Sequence, residues 1–171
     1  MVKFFFAVVS KLEDYSFDSL PIKLKEFIIT NFGGVDFTSE PYQFKIKYYE
    51  KEMGSPLFKF FLSLKEIRES SIIIDFKKMC MQEEANAKRK INLDPGYITL
   101  NSVVLSTRKE AAHRIYLRDG IYLDLHLIYE SSIYKPLPWT YPDYKNEGVL
   151  SFFYKMRNSF KKERNLNRKM L

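Results

Sequence analysis

This 171-residue sequence holds only two histidines and one cysteine, so imidazole and thiol chemistry has few possible seats. His113 has the richer surroundings. Lys109 precedes it by four residues, Arg114 follows it, and Arg108 and Arg118 flank the segment. If Arg108–Arg114 is a short helix, Lys109 and His113 share one face. Such a cluster can hold a phosphate, with arginine as the bidentate clamp and histidine as donor or proton acceptor. The plainer reading is that His113 caps the helix and the arginines are solvated. Asp94 lies in Asn92-Leu93-Asp94-Pro95-Gly96-Tyr97, a turn-forming stretch. Pro95 sets φ, Gly96 permits positive φ, and Asp94 can bond the backbone ahead. A rigid turn there would aim the Asp94 carboxylate into a cleft. A carboxylate and a distant histidine can do acid–base work, with Asp94 orienting His113 or binding a metal and Arg114 stabilising an anion. No spacing joins Asp94 to His113; only the fold can.

Three further features carry potential chemistry. Tyr48-Tyr49-Glu50-Lys51-Glu52-Met53-Gly54 mixes aromatic and acidic side chains, and Glu50 and Glu52 could bind a hard cation such as Mg²⁺. The plainer reading, and the favoured one, is an exposed loop whose charges serve solubility. Pro136 through Tyr144 holds the single tryptophan, Trp139, among prolines and tyrosines. Its rings can stack on bases, or Trp139 can plug the core while Asp143 caps the last helix. His126 alternates with Asp124 and Tyr122 opposite the apolar Ile121, Leu123, Leu125 and Leu127, which predicts an exposed histidine. Cys80 shares a helical stripe with Ile72, Phe76 and Met79, so it reads as a small core residue.

Several function classes are excluded. The six glycines never precede Lys-Ser/Thr at P-loop spacing, nor do they form Gly-x-Gly-x-x-Gly or Gly-x-Ser-x-Gly. A zinc site would need carboxylates. The paired His-x-Thr/Ser of two-histidine phosphoesterases is missing, since the local sequences are His113-Arg114-Ile115 and His126-Leu127-Ile128.

The elements that must position these residues follow from periodicity. Val2–Val9 is a near-continuous apolar run, the mark of a strand covered on both faces. Asp18-Ser19 and Pro21 suit a helix start, Leu20, Leu24, Phe27 and Ile28 form its buried face, and Gly33-Gly34 ends it. Tyr42–Tyr48 and Phe58–Leu64 alternate as a hairpin around Met53-Gly54-Ser55-Pro56. Ser70-Ser71 opens a second helix, and polar Gln82–Lys90 reads as a linker. Tyr97–Ser106 is a strand, and Ile115–Leu117 with Ile121–Tyr129 is a hairpin around Asp119-Gly120. Tyr144–Arg164 is a final helix with Val149, Phe152, Phe153, Met156 and Phe160 inward. The class is α+β, a mostly antiparallel sheet with helices, and the element order also fits two βαββα-like halves sharing one core.

Length and composition predict a single domain over residues 1–171. With one cysteine, 46% hydrophobic residues and no apolar run of membrane length, a cytoplasmic protein without a membrane span is expected. Lys11, Glu13 and Asp14 follow the first apolar run too soon for a signal peptide. The net charge is +7, and residues 151–171 hold seven basic side chains against Glu163 alone. A basic helical tail from about residue 161 can attract RNA or anionic lipid, or simply solvate the helix end.

Four segments together resemble a bacterial family, the domain of unknown function numbered 4416. They are Tyr48–Gly54, Asn92–Tyr97, His113-Arg114-Ile115-Tyr116-Leu117 and Pro136–Tyr144. The resemblance spans nearly the whole chain. It implies motif positions at Tyr49, Glu50, Glu52, Asp94, Tyr97, His113, Arg114, Tyr116, Trp139, Tyr141 and Asp143; Asp124 and His126 fall outside them. The family has no established activity, although some members are described as GTP-binding. The expectation is therefore binding of a phosphate-bearing ligand without a P-loop, a nucleotide such as GTP, with Mg²⁺, or RNA. Arg108, Lys109, His113 and Arg114 would hold phosphate, and Tyr49, Tyr97 or Trp139 would stack a base. The alternatives are a small hydrolase or phosphoesterase using His113, Asp94 and Arg114, and a structural or assembly protein.

Overall fold

The first strand organises the molecule. A computed structural model describes residues 1–11, 20 and 22–169. β1 (Val2–Ser10) is buried at every position, as its unbroken apolar run requires. It pairs antiparallel with β4 (Phe58–Arg68) on one side and β5 (Ile91–Ile98) on the other. The sheet continues beyond β4 to β2 (Val35–Thr38), and beyond β5 to β6 (Ser102–Thr107), β8 (Ile121–Glu130) and β7 (Ile115–Arg118). Two short strands, β3 (Tyr42–Gln43) and β9 (Ile133–Pro136), pair with β4 and β8. All these pairings are antiparallel, and with four α-helices among the described residues the class is α+β.

Alternation along β1 builds a core on each face. Phe4, Phe6 and Val8 pack with Leu24, Ile28 and Phe32 of α1 (Ile22–Phe32) and with Phe76 and Cys80 of α3 (Ile73–Asn86). Phe5 and Ala7 pack with Phe152, Phe153, Met156 and Phe160 of α4 (Glu147–Lys169). Each such aromatic contributes about 2–3 kcal/mol by leaving water. The buried faces expected for α1, α3 and α4 are those observed. Gly33 ends α1 at φ 86°, and Asp119 (58°) and Gly120 (70°) make the tight turn between β7 and β8. The Asp18-Ser19 cap and Pro21 lie outside the described residues.

Several expectations are corrected. The alternating stretch Tyr42–Tyr48 is a strand only at Tyr42–Gln43; Lys47–Met53 is a short helix, α2. Met53 is buried and Tyr49 packs beside it with Val9 and Leu57, while Ile46 and Tyr48 stay exposed. Burial at a spacing of four overrode the alternation. Arg108–Arg114 is not a helix but a loop closed by a turn, Arg114 N–H donating to the Ala111 carbonyl at 3.0 Å. Gln82–Lys90 is no linker, because α3 runs to Asn86 and buries Glu84. Tyr97–Ser106 is split between β5 and β6 by a turn at 99–102, and no helix lies between β5 and β9, so the βαββα order does not repeat.

The Asn92–Tyr97 stretch is a strand, not a turn. In a strand, a residue's N–H and C=O point the same way. The Pro95 carbonyl accepts the Ser106 hydroxyl of β6 at 2.6 Å, so the missing Pro95 N–H also faces β6. The β5–β6 ladder accordingly stops at Gly96↔Leu105. At Gly96 a Cβ would stand 2.3 Å from Phe5 Cζ and 2.5 Å from the Val104 carbonyl oxygen, so only glycine fits.

Candidate ligand-binding pocket

Where the β5–β6 ladder stops, the sheet parts and a cavity of about 410 Å³ opens. Asn92 and Asp94 of β5 and Ser106 and Thr107 of β6 line it, with Lys77, Met81 and Glu84 from α3 and Tyr48, Tyr49 and Glu52 from α2. Arg89, Arg108, Lys109 and Tyr141 complete the wall. By register Asp94 lies beside Ala7, on the α4 side of the sheet, yet its carboxylate meets Lys77 from the helix on the other side. The parted strands let the two faces communicate.

Asp94 is the centre of the floor. Its Oδ1 accepts from Lys77 Nζ at 2.6 Å and its Oδ2 from Asn92 Nδ2 at 2.7 Å. Burial alone would raise the Asp94 carboxyl, but the Lys77 charge and both hydrogen bonds outweigh it and hold the group below the usual carboxylate range. Burial likewise works against the Lys77 ammonium, but Asp94 and Glu84 outweigh it and raise that group. Glu84 is buried, which raises its carboxyl, and it accepts from the Leu93 N–H at 2.7 Å. Arg89 links two helices, donating to Glu84 Oε2 at 2.5 Å and to both Glu52 oxygens at 3.2 and 3.0 Å. Its backbone and that of Lys88 sit at φ 57° and 51°, left-handed values that cost strain for residues other than glycine.

Arg114 stands behind this pocket rather than in it. Its guanidinium donates to Asp124 Oδ2, to the Lys109 carbonyl and to the Tyr141 hydroxyl, each at 2.8 Å. It is a strut that fixes the 108–114 loop and Tyr141. His113 stacks on Trp139, with ring centroids 4.9 Å apart, and its Nε2 is 3.6 Å from Asp124 Oδ2. Trp139 donates Nε1–H to the Leu125 carbonyl at 2.8 Å. The exposed position expected for His126 is wrong: His126 and Asp124 are both fully buried. The aromatic connector covers that face of β8, and His126 stacks on Tyr144 at 4.4 Å. Burial pushes the His126 imidazole down to about 4, with the Asp124 charge opposing.

The structure thus brings together Tyr49, Glu52, Asp94, Arg108, Lys109 and Tyr141 in one pocket. It does not bring Asp94 to His113, whose partners differ. Lys109 shares no helical face with His113; its Nζ lies 4.9 Å from the Tyr48 ring centroid. Tyr97 packs on Phe4 and lines a separate cavity beside Ile73, Ile74 and Leu117. Tyr116 is exposed on β7 against Tyr122, and Arg118 is paired with Asp119. Asp143 does not cap α4; it accepts from Lys59 at 2.5 Å and Tyr42 at 2.9 Å, while the Asn146 side chain accepts from the Gly148 N–H at the helix start. Glu50 is outside the pocket wall and Glu52 is committed to Arg89. Among the described residues no three His, Cys, Asp or Glu side chains are grouped to hold a metal ion.

Sequence reasoning missed Lys77, Glu84 and Arg89. One signal was present: Ile73, Lys77, Cys80 and Glu84 fall on a single buried stripe of α3, and charges on such a stripe need partners. Nothing local marked Arg89.

The fold is thus an antiparallel α+β sheet whose β5–β6 pairing ends at an internal proline, with a polar pocket there and no glycine phosphate loop in the sequence. The chain matches a family model described as domain of unknown function (DUF4416) over residues 1–160, and it belongs to that family. No curated protein and no solved structure matches it. Among the described residues no helix is long and apolar enough to cross a membrane.

Proposed function

We propose that this pocket binds a small phosphate-bearing ligand, a nucleotide being the natural candidate. One observation carries the reading. Arg108 is exposed at the pocket mouth beside Lys109 and makes no ion pair or hydrogen bond among the described residues. An unspent guanidinium next to a second cation is an anion receptor. Tyr48, with Lys109 over its ring, and Tyr49 line the same wall and supply the aromatic surface against which a base would pack. The cavity volume, about 410 Å³, is within the range of small-molecule sites. A pocket of this volume holds a mononucleotide rather than several nucleotides of an RNA strand. The phosphoesterase reading draws no support from the placement of Asp94 and His113.

The test is a thermal melt with GTP, ATP and a short single-stranded RNA, each with Mg²⁺. A ligand at about 100 times its Kd stabilises by roughly 2.7 kcal/mol. A shift with a nucleotide that disappears in Arg108→Ala supports the reading. A shift with RNA alone, lost on shortening the basic end of α4, would replace it. No shift with any of the three would end it.

A further inference from the structure

We infer that the ligand is a phosphomonoester whose far end carries neighbouring hydroxyl or amide groups, and that it enters with phosphate outward and that far end on Asp94. The inference rests on the phosphate-binding reading of the same pocket and adds the chemistry of the ligand's other end.

The mouth and the interior of the pocket differ in charge. Arg108 and Lys109 are exposed cations at the mouth. The other two cations of the wall, buried Lys77 and half-buried Arg89, are each already matched to carboxyl groups, Lys77 to Asp94 and Arg89 to Glu52 and Glu84. A phosphate near the floor would meet carboxylates and no unspent cation, whereas at the mouth it meets two. Like charges at close range in a partly dry site are costly, so the orientation follows.

The floor also dictates what it accepts. An ionised carboxylate only accepts hydrogen bonds, and each of its oxygens can take two. Asp94 uses one site on Oδ1 for Lys77 and one on Oδ2 for Asn92, which leaves room for ligand donors. The Tyr141 hydroxyl accepts from Arg114 Nη2 at 2.8 Å, so its own proton is directed elsewhere. The Tyr49 hydroxyl has no hydrogen bond among the described residues and lines the same wall. An acceptor beside phenolic donors matches a group that both donates and accepts: vicinal hydroxyls of a sugar, or the amide edge of a base. An apolar end would leave these polar atoms buried and unpaired.

Calorimetric titration of inorganic phosphate, ribose 5-phosphate, AMP and GMP into the wild type and into Arg108→Ala, Asp94→Asn and Tyr141→Phe tests this. In the wild type the esters bind at least about tenfold more tightly than inorganic phosphate, the gain of one hydrogen bond to a charged group. Asp94→Asn and Tyr141→Phe each remove about tenfold from the esters and leave inorganic phosphate unchanged. Arg108→Ala weakens every probe. Ribose 5-phosphate binding as well as the nucleotides identifies the hydroxyls as the recognised group; nucleotides alone binding tightly identifies the base edge. If Asp94→Asn fails to fold, Tyr141→Phe, which removes one oxygen, carries the test. Folded variants of Asp94 and Tyr141 with unchanged ester affinity, alongside a weakened Arg108→Ala, would overturn the inference and leave the phosphate reading standing. A wild type that binds none of the probes would overturn both.

Discussion

Lys3 Nζ lies 2.8 Å from Glu163 Oε1, tying the first strand to the last helix across 160 positions of sequence. The lysine has no exposed surface, and it also meets Asp36 at 3.0 Å and donates to the Lys65 carbonyl at 3.0 Å. A buried ammonium is tolerable only with such company. The two ends of this relationship are therefore unequal. Removing both acids, Asp36→Ala with Glu163→Ala, strands the charge and is expected to cost about 3 kcal/mol. Lys3→Met removes the charge itself, leaves two partly exposed carboxylates, and is expected to cost about 1 kcal/mol. Urea midpoints compare them directly. A methionine variant as unstable as the double variant would show that the contact, not the charge burial, matters.

Arg114→Ala is expected to damage the fold rather than a ligand contact. Asp124 is 1% exposed in its side chain and loses its main counterion, at a cost of about 3–5 kcal/mol. Arg114→Lys recovers little, because one ammonium cannot reach three acceptors set by a planar fork. Thermal melts of both variants check this, and an Arg114→Ala protein as stable as wild type would refute the strut.

His126 makes stability depend on pH. Its folded value, about 4, lies below the ordinary 6.5, so between these values the unfolded chain binds the extra proton. Stability is fully present above about pH 6.5 and falls as pH drops toward 4, by on the order of 3 kcal/mol. His126→Phe keeps a stacking ring on Tyr144 and removes the titration. The difference between the two proteins' unfolding free energies, followed from pH 7 to 4, isolates the effect. Parallel curves would mean that His126 titrates normally.

Gly96→Ala is expected to abolish the native packing. The new methyl group would overlap both the Phe5 ring and the Val104 carbonyl, and the second of these is backbone held in a sheet. Overpacking of this kind costs about 1–3 kcal/mol or more. A soluble variant with an unchanged melting temperature would mean that β5 and β6 can shift apart.

Arg108→Ala, by contrast, is expected to leave stability within about 0.5 kcal/mol, since the side chain is exposed and unpaired among the described residues. Equilibrium unfolding measures it. A larger loss would show that Arg108 has a structural partner and weaken its assignment as a ligand cation.

Legibility in the sequence followed the range of the forces involved. The buried run of β1, the inward stripes of α1, α3 and α4, and the Asp119-Gly120 hairpin were readable because each is set by residues within a few positions of one another. Tyr42–Tyr48 was misread because its alternation is real but is overridden at Tyr49 and Met53 by burial against Leu57 and against Val9, the latter some forty positions away in sequence. The 92–97 stretch was misread because Pro and Gly mark turns locally. Here they serve a strand, one ending a ladder and the other making room for Phe5.

For the site, the sequence by itself determined the inventory: the cations Arg108 and Lys109, the tyrosines of 48–49, a carboxylate at 94, and the exclusion of any glycine phosphate loop. Its four motif segments also pointed to the family that the chain belongs to. Only the tertiary structure decided that Asp94 faces Lys77 rather than His113, that Arg114 is a strut, and that Glu52 is held by Arg89. The reason is physical. A side chain's type is local, but its partner depends on which strands pair and where a ladder stops, and those contacts join residues that no sequence period connects.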